Sequence, residues 1–201
     1  MLARQGPLPE GPLWSFELKW DGFRAIISTE EGLRVRSRRG WNMTAALPEF
    51  RELPRGLVLD GELVSLNRQG EPHFPSLCRR ILMGNRAIPV KLIVFDLLRE
   101  GGEDLMNLPL RVRRARLEAL GLNASLWRTP ETFFEGRALF EAVCDLGLEG
   151  VVAKRLDGRY RPGERRWIKI KNPAYWRREW EIESLRRAAN RRTRSQILSG
   201  V

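Results

Sequence analysis

The chain has 201 residues, a formal net charge of +11 and a hydrophobic fraction of 42%. That length supports one substantial core, and no apolar run approaches the length of a membrane span. Cys78 and Cys144 are too few and too far apart for a disulfide framework or a zinc site. The opening residues, Met-Leu-Ala-Arg-Gln-Gly-Pro, lack the apolar stretch of a secretory signal. These features describe a reduced, cytoplasmic protein. The charge points to a polyanionic partner, with nucleic acid ahead of an anionic membrane surface.

In chain order, Trp14 to Leu18, Phe23 to Ser28 and Leu33 to Ser37 alternate or run apolar and read as strands, with turns at Asp21-Gly22 and Glu31-Gly32. Leu57 to Leu66 and Val90 to Leu98 read as longer, more buried strands. Between them Phe74 to Met83 reads as a short helix. Leu110 to Leu120 is expected to form an Arg-rich amphipathic helix opened by Pro109, and Phe133 to Leu146 another helix closed by Gly147. Strands at Gly150 to Lys154 and Arg166 to Lys171 follow, separated by the Pro162-Gly163 turn. From Trp176 the composition shifts to a helical stripe of Trp176, Trp180 and Leu185, with seven arginines between Arg177 and Arg194. The early strands follow one another too closely for helical crossovers, so the fold class is α+β with largely antiparallel sheets flanked by helices.

Five lysines stand against thirty-one arginines, and four of the five fall in three short clusters. Arg stays protonated, whereas Lys can lose its proton in suitable surroundings and become a nucleophile. Lys19 lies in Glu17-Leu18-Lys19-Trp20-Asp21-Gly22-Phe23-Arg24. Taken alone this stretch reads as a hairpin turning at Asp21-Gly22, or as a nucleophilic lysine at a strand end. Leu57-Val58-Leu59-Asp60-Gly61-Glu62-Leu63-Val64 places two acids in an apolar strand. They are costly to bury unless paired or metal-bound, and share one face in regular strand geometry. A turn interrupting two strands is the alternative. Leu92-Ile93-Val94-Phe95-Asp96-Leu97-Leu98 reads first as a core Phe with a strand-end Asp. Leu148-Glu149-Gly150-Val151-Val152-Ala153-Lys154 puts an acid at the mouth of a buried strand. In Trp167-Ile168-Lys169-Ile170-Lys171, alternation sends both lysines to one face. Ser37-Arg38-Arg39-Gly40 is a basic turn suited to a phosphate. His73 reads as a loop residue, and the cysteines as helix packing residues.

In order, these are Lys-x-Asp-Gly-x-Arg, Asp-Gly-Glu, Phe-Asp, Glu-Gly-Val and Lys-x-Lys. The series resembles that of the covalent nucleotidyltransferases, the superfamily of ATP-dependent ligases and capping enzymes. Met-Leu-Ala, Trp-x-Phe-Glu-x-Lys-Trp-Asp-Gly, Leu-Pro-Leu-x-x-Arg-Arg and Tyr-x-Pro-Gly are most similar to the bacterial ATP-dependent DNA ligases of double-strand-break repair. The resemblance covers about residues 1 to 174. It implies an adenylation domain of nucleotidyltransferase (ATP-grasp-like) fold over 1–174, a basic helical tail or linker stub over 175–201, and no OB domain.

By this resemblance, Lys19 attacks the α-phosphate of ATP to form a lysyl–AMP. AMP then passes to the 5′-phosphate of a nick in double-stranded DNA, and the 3′-hydroxyl seals the strand. Bringing a lysine from a pKa of about 10.4 to about 8 takes roughly 3 kcal/mol of differential stabilisation, which Mg2+ and the cationic Lys169 and Lys171 would supply. Glu62 and Glu149 are the implied metal ligands. Phe95 would stack on adenine, Glu17 lie at the adenine edge, Arg24 contact ribose or phosphate, and Lys169 and Lys171 hold the α-phosphate. Arg38, with Arg39 beside it, would engage the DNA 5′-phosphate. Family ligases continue into an OB domain ending in Arg-x-Asp-Lys, and no such motif follows Lys171. The chain is then either a catalytic core of a larger protein or a minimal enzyme. A monomer acting at the bacterial nucleoid, with a repair polymerase or end-binding protein as further partner, completes the expectation. The alternatives are an RNA ligase or capping-type enzyme, and a non-catalytic DNA nick- or end-binding module. A phosphate-loop ATPase is disfavoured, because Gly-x-x-x-x-Gly-Lys-Ser/Thr does not occur.

Overall fold

Ten strands and three helices form within residues 1–175, which are those described by the computed structural model. The basic tail expected beyond Trp176 lies outside the described residues. The strands are β1 (Ala3–Gln5), β2 (Trp14–Leu18), β3 (Phe23–Ser28), β4 (Arg34–Ser37), β5 (Leu57–Val64), β6 (Lys91–Glu100), β7 (Glu103–Asp104), β8 (Trp127–Arg128), β9 (Gly150–Arg155) and β10 (Trp167–Lys171). The helices are α1 (Phe74–Met83), α2 (Leu110–Ala119) and α3 (Gly136–Asp145). No helix among the described residues is long and apolar enough to cross a membrane.

Two sheets result. One runs β1-β10-β9-β2, and the other runs β4-β3-β5-β6-β7 with β8 also against β6. Pairing is antiparallel except for β1 with β10 and β8 with β6. Neither parallel contact, nor β1, β7 and β8 themselves, is expected from the sequence, because two- and three-residue strands carry no periodic signal.

The hairpin expected at Asp21-Gly22 does not form. β2 pairs with β9 and β3 with β4 and β5, so the four residues between them carry the chain from one sheet to the other. The physical reason sits at Gly22, where a Cβ would fall 2.0 Å from the Leu63 carbonyl oxygen. Glycine here permits close approach to β5 rather than a tight reversal. The turn considered at Asp60-Gly61 is also absent. β5 is continuous, with a register irregularity against β6 between Asp60 and Gly61.

Each sheet has its own apolar core. Phe74, Leu77 and Ile81 on α1 and Leu117 on α2 pack with Leu59, Leu63, Leu92 and Leu97 of the larger sheet. α1 carries an i, i+3, i+7 stripe and ends at Gly84, whose φ of 70° supplies the left-handed cap. On the smaller sheet, Leu139 and Val143 of α3 cover Phe16, Val151, Ala153 and Ile168. A third cluster joins the sheets: Met1, Leu98, Tyr160 and Trp167.

α2 departs from the amphipathic pattern expected of it, since it buries Arg113 and Arg114 beside Leu110 and Leu117. Arg113 is fully buried and reaches Asp96 through Nε and Nη2 at 2.7 and 2.8 Å. Its Nη1 donates to the carbonyls of Leu108 and Gly158. Asp96 therefore lies inside β6 and not at its end. A charge held without water is tolerated because each guanidinium nitrogen has an acceptor and the carboxylate balances the charge. Arg113→Met should leave Asp96 buried and unpaired, and lower unfolding stability by about 3–5 kcal/mol. The urea midpoint reads this, and Asp96→Asn added to Arg113→Met should recover part of the loss.

Candidate active site

The two sheets face each other across a cavity of about 780 Å3. All ten side chains given a site role by the resemblance line it: Glu17, Lys19, Arg24, Arg38, Arg39, Glu62, Phe95, Glu149, Lys169 and Lys171. They arrive from β2, β3, β5, β6 and β10, from the turn after β4, and from the residue before β9.

Lys19 stands one residue past the end of β2, where its backbone N–H donates to the Gly150 carbonyl at 2.9 Å. Its Nζ lies 2.5 Å from Oε1 of Glu149. Glu149 is buried, and its Oε2 has no hydrogen-bond partner among the described residues. Gly150 lets β9 start so close to β10: its φ is 147°, and a Cβ would fall 2.1 Å from the Ile170 carbonyl oxygen. Glu62 projects from β5 into the same space. Burial pushes its carboxyl up to about 8, with Glu149 and Asp60 adding to the rise and Lys19 and Arg24 opposing it. On β10 the alternation works as expected, with Lys169 and Lys171 lining the cavity while Ile168 and Ile170 enter the second core. Burial lowers the Lys169 ammonium from its ordinary value, and the neighbouring charges of Lys171 and Lys19 lower it further.

At the opposite wall the structure reveals a buried network that the sequence did not announce. Lys154, almost fully buried in β9, donates to Glu17 Oε2 at 2.7 Å. Its Nζ lies 4.5 Å from the Phe95 ring centre and 4.6 Å from that of Trp167. Arg114 Nη1 reaches the other Glu17 oxygen at 3.3 Å. Burial lowers the Lys154 ammonium, and the Glu17 carboxylate opposes that fall. Lys154 was visible as one of few lysines, but nothing in its strand pattern marked its partner 137 residues away. Arg24 is bidentate to Asp60 (2.9 and 2.5 Å), and Tyr160 donates to Asp60 Oδ2 at 2.8 Å. The Arg24 guanidinium sits 5.6 Å from the Phe95 ring centre and 5.0 Å from that of Trp167. Asp60 and Glu62 thus divide: one anchors Arg24, the other faces the cavity.

Arg38 and Arg39 occupy the turn that links β4 to Trp41, closed by Gly40 N–H to the Ser37 carbonyl at 2.8 Å. Asp21, also on the cavity wall, accepts a hydrogen bond from Tyr175. His73 precedes α1 and contacts Ser76 Oγ, consistent with a loop position. Cys78, on α1, packs against the larger core as expected, and Cys144 lies on α3.

Among the described residues no group of three or more His, Cys, Asp or Glu gathers as a metal cage. The donor set nevertheless fits Mg2+, which is bound through one or two carboxylates with substrate phosphates and water completing its shell. Glu149 Oε2 is buried without a hydrogen-bond partner among the described residues, and Glu62, whose carboxyl burial raises, lines the same cavity.

Residues 9–171 match the family model described as ATP dependent DNA ligase domain. The chain is 40% identical over 180 residues to the multifunctional non-homologous end joining protein LigD of Pseudomonas aeruginosa, covering 85% of this chain and 21% of that one. Its structure superimposes on the ligase domain of M. tuberculosis LigD with a TM-score of 0.75 at 37% identity, covering 85% of this chain and 58% of that one. A mycobacterial DNA ligase D complexed with ATP and MES gives a TM-score of 0.74 at 36% identity, with the same coverage. The chain thus spans about a fifth of the length of its Pseudomonas relative. With a mixed α and β fold matching these ligase domains and a family match running through nearly all the described residues, the chain belongs to the ATP-dependent DNA ligase domain family.

Proposed function

We propose that this chain is the adenylating core of an ATP-dependent DNA ligase, with a nucleotidyltransferase fold, that acts on nicked duplex DNA in double-strand-break repair. The observation that carries this function is Lys19 Nζ held 2.5 Å from Glu149 in a cavity that also contains Lys169, Lys171 and the Phe95 ring. A mycobacterial relative of the same fold is described as complexed with ATP, which supports ATP as the nucleotide.

The Phe95 ring offers a stacking face for the adenine. Glu17, fixed by Lys154 and Arg114, presents carboxylate oxygens to its exocyclic amine. The triphosphate then extends towards Lys169 and Lys171, whose charges bind the α-phosphate and disfavour a third ammonium beside them. Glu149 Oε1 takes the proton that Lys19 must shed. The free amine bonds to the α-phosphorus, the bond to the bridging oxygen breaks, and pyrophosphate leaves. Bound Mg2+ would supply charge neutralisation at the phosphates, with Glu62 and Glu149 Oε2 as its carboxylate ligands. Arg38 and Arg39 at the cavity edge are placed to receive the 5′-phosphate of a nick, to which the AMP passes before the 3′-hydroxyl displaces it.

Incubation with ATP and magnesium should raise the protein's mass by one AMP, and Lys19→Ala should abolish that gain while keeping the parent's circular dichroism. A folded parent that takes up no AMP from ATP, or that labels from GTP in preference, ends the assignment. A second expectation concerns Glu62, whose carboxyl rises from the usual glutamate range to about 8 on folding. The folded state therefore binds the extra proton between those two values, and its stability falls as pH climbs towards 8. In EDTA, Glu62→Gln should be free of that loss. Its stability advantage over the parent should widen by about 2–3 kcal/mol between pH 6 and pH 9, read from urea midpoints.

A further inference from the structure

Arginine lines both cavities, as Arg24, Arg38 and Arg39 do in the first, but lysine lines only one of them. Lys19, Lys154, Lys169 and Lys171 all line the first. A second recess, of about 660 Å3, has no lysine in its wall but six arginines: Arg4, Arg155, Arg159, Arg161, Arg165 and Arg166. Among the described residues Asp157 is the only acid lining it, and Trp167 contributes to the walls of both cavities. Guanidinium groups are permanently charged, fork-shaped donors that match phosphate oxygens in pairs, and they stack on aromatic faces. Where the chemistry calls for an amine that can shed a proton, lysine is present. Where only fixed positive charge converges, it is arginine alone.

Several of these arginines are already oriented. Arg155 makes two bonds to Asp157, at 2.8 and 2.7 Å, and lies 5.6 Å from the Trp14 ring centre. Arg161 reaches Asn107, and Arg166 pairs with Glu164. Arg4, Arg159 and Arg165 are exposed and form no ion pair among the described residues. Like charges gathered round one recess repel one another, and an anion entering it relieves that repulsion. The six come from β1, from the end of β9 with the loop after it, and from the segment leading into β10. Such a spread suits an extended chain of phosphates better than a single one.

We propose that this recess binds the phosphodiester backbone of a DNA strand, as a contact separate from the Arg38 and Arg39 edge of the catalytic cavity; the choice of DNA as the polyanion rests on the ligase function proposed above. The arginines fix the strand by its phosphates, and the Trp14 indole with the Arg155 plane on it forms a sequence-neutral wall.

The test compares two double variants of the full chain, Arg159→Ala with Arg165→Ala, and Arg55→Ala with Arg137→Ala. The second pair is exposed and outside both cavities, and removes the same charge. Binding to a 5′-phosphorylated nicked duplex is measured across a salt series, and AMP uptake from ATP is measured alongside. The recess variant should bind about tenfold more weakly, with a salt slope lower by about two, while still taking up AMP. The control should stay within about twofold of the parent. Equal losses in both variants, or a recess variant within twofold of the parent, overturn the proposal. So does displacement of the duplex by polyglutamate as readily as by charge-matched DNA, which would mark the recess as a docking site for an acidic protein. If the parent takes up no AMP, the ligase function falls, and the binding series still decides what the recess does.

Discussion

A desolvated layer of paired charges holds the two sheets against each other, and the cavity exists because of it. Asp60 and Arg24 bind across the larger sheet, and Tyr160, from the loop between β9 and β10, closes on Asp60. From the smaller sheet, Lys154 crosses to the Phe95 carbonyl at 3.5 Å and holds Glu17. Asp96 and Arg113 tie β6 to α2 and, through the Gly158 carbonyl, to the same loop. Buried charges contribute little net stability over apolar packing, but removing one partner is expensive. Their effect is therefore to fix geometry. They hold Phe95 and Trp167 edge to face, with ring centres 5.7 Å apart, at one end of a space whose other end holds Lys19 and Glu149.

Residue chemistry divides along that space. At the Phe95 end the charges are matched, Glu17 with Lys154 and Arg114, and Asp60 with Arg24. Towards Lys19 they are unbalanced: Glu149 pairs with Lys19, burial raises the Glu62 carboxyl, and the charges of Lys171 and Lys19 oppose that of Lys169. Such imbalance is the condition in which protons move readily between groups. The arginine recess beyond Trp167 continues this logic with charge that cannot titrate at all.

Much of the architecture was legible from pattern. β2, β3 and α1 begin and end where the sequence places them, because alternation, an i, i+3, i+7 stripe and a capping glycine are local properties. α2 escaped the pattern, since Arg113 and Arg114 are buried by partners far away in sequence, and local hydropathy cannot register such a partner. β1, β7 and β8 escaped it because very short strands borrow their structure from a neighbour.

The sequence by itself determined the chemical inventory: a rare lysine among arginines, acids inside apolar strands, alternating lysines on the last strand, and their order along the chain. Each is a matter of residue type and spacing, which one dimension records fully. Only the tertiary structure decided that Lys19-Trp20-Asp21-Gly22 passes between sheets instead of reversing, that Asp60 serves Arg24 while Glu62 faces the cavity, and that Lys154 belongs beneath Phe95. Those outcomes depend on close backbone approach and on desolvation. Both arise when distant segments meet, and neither leaves a mark on the segments taken singly.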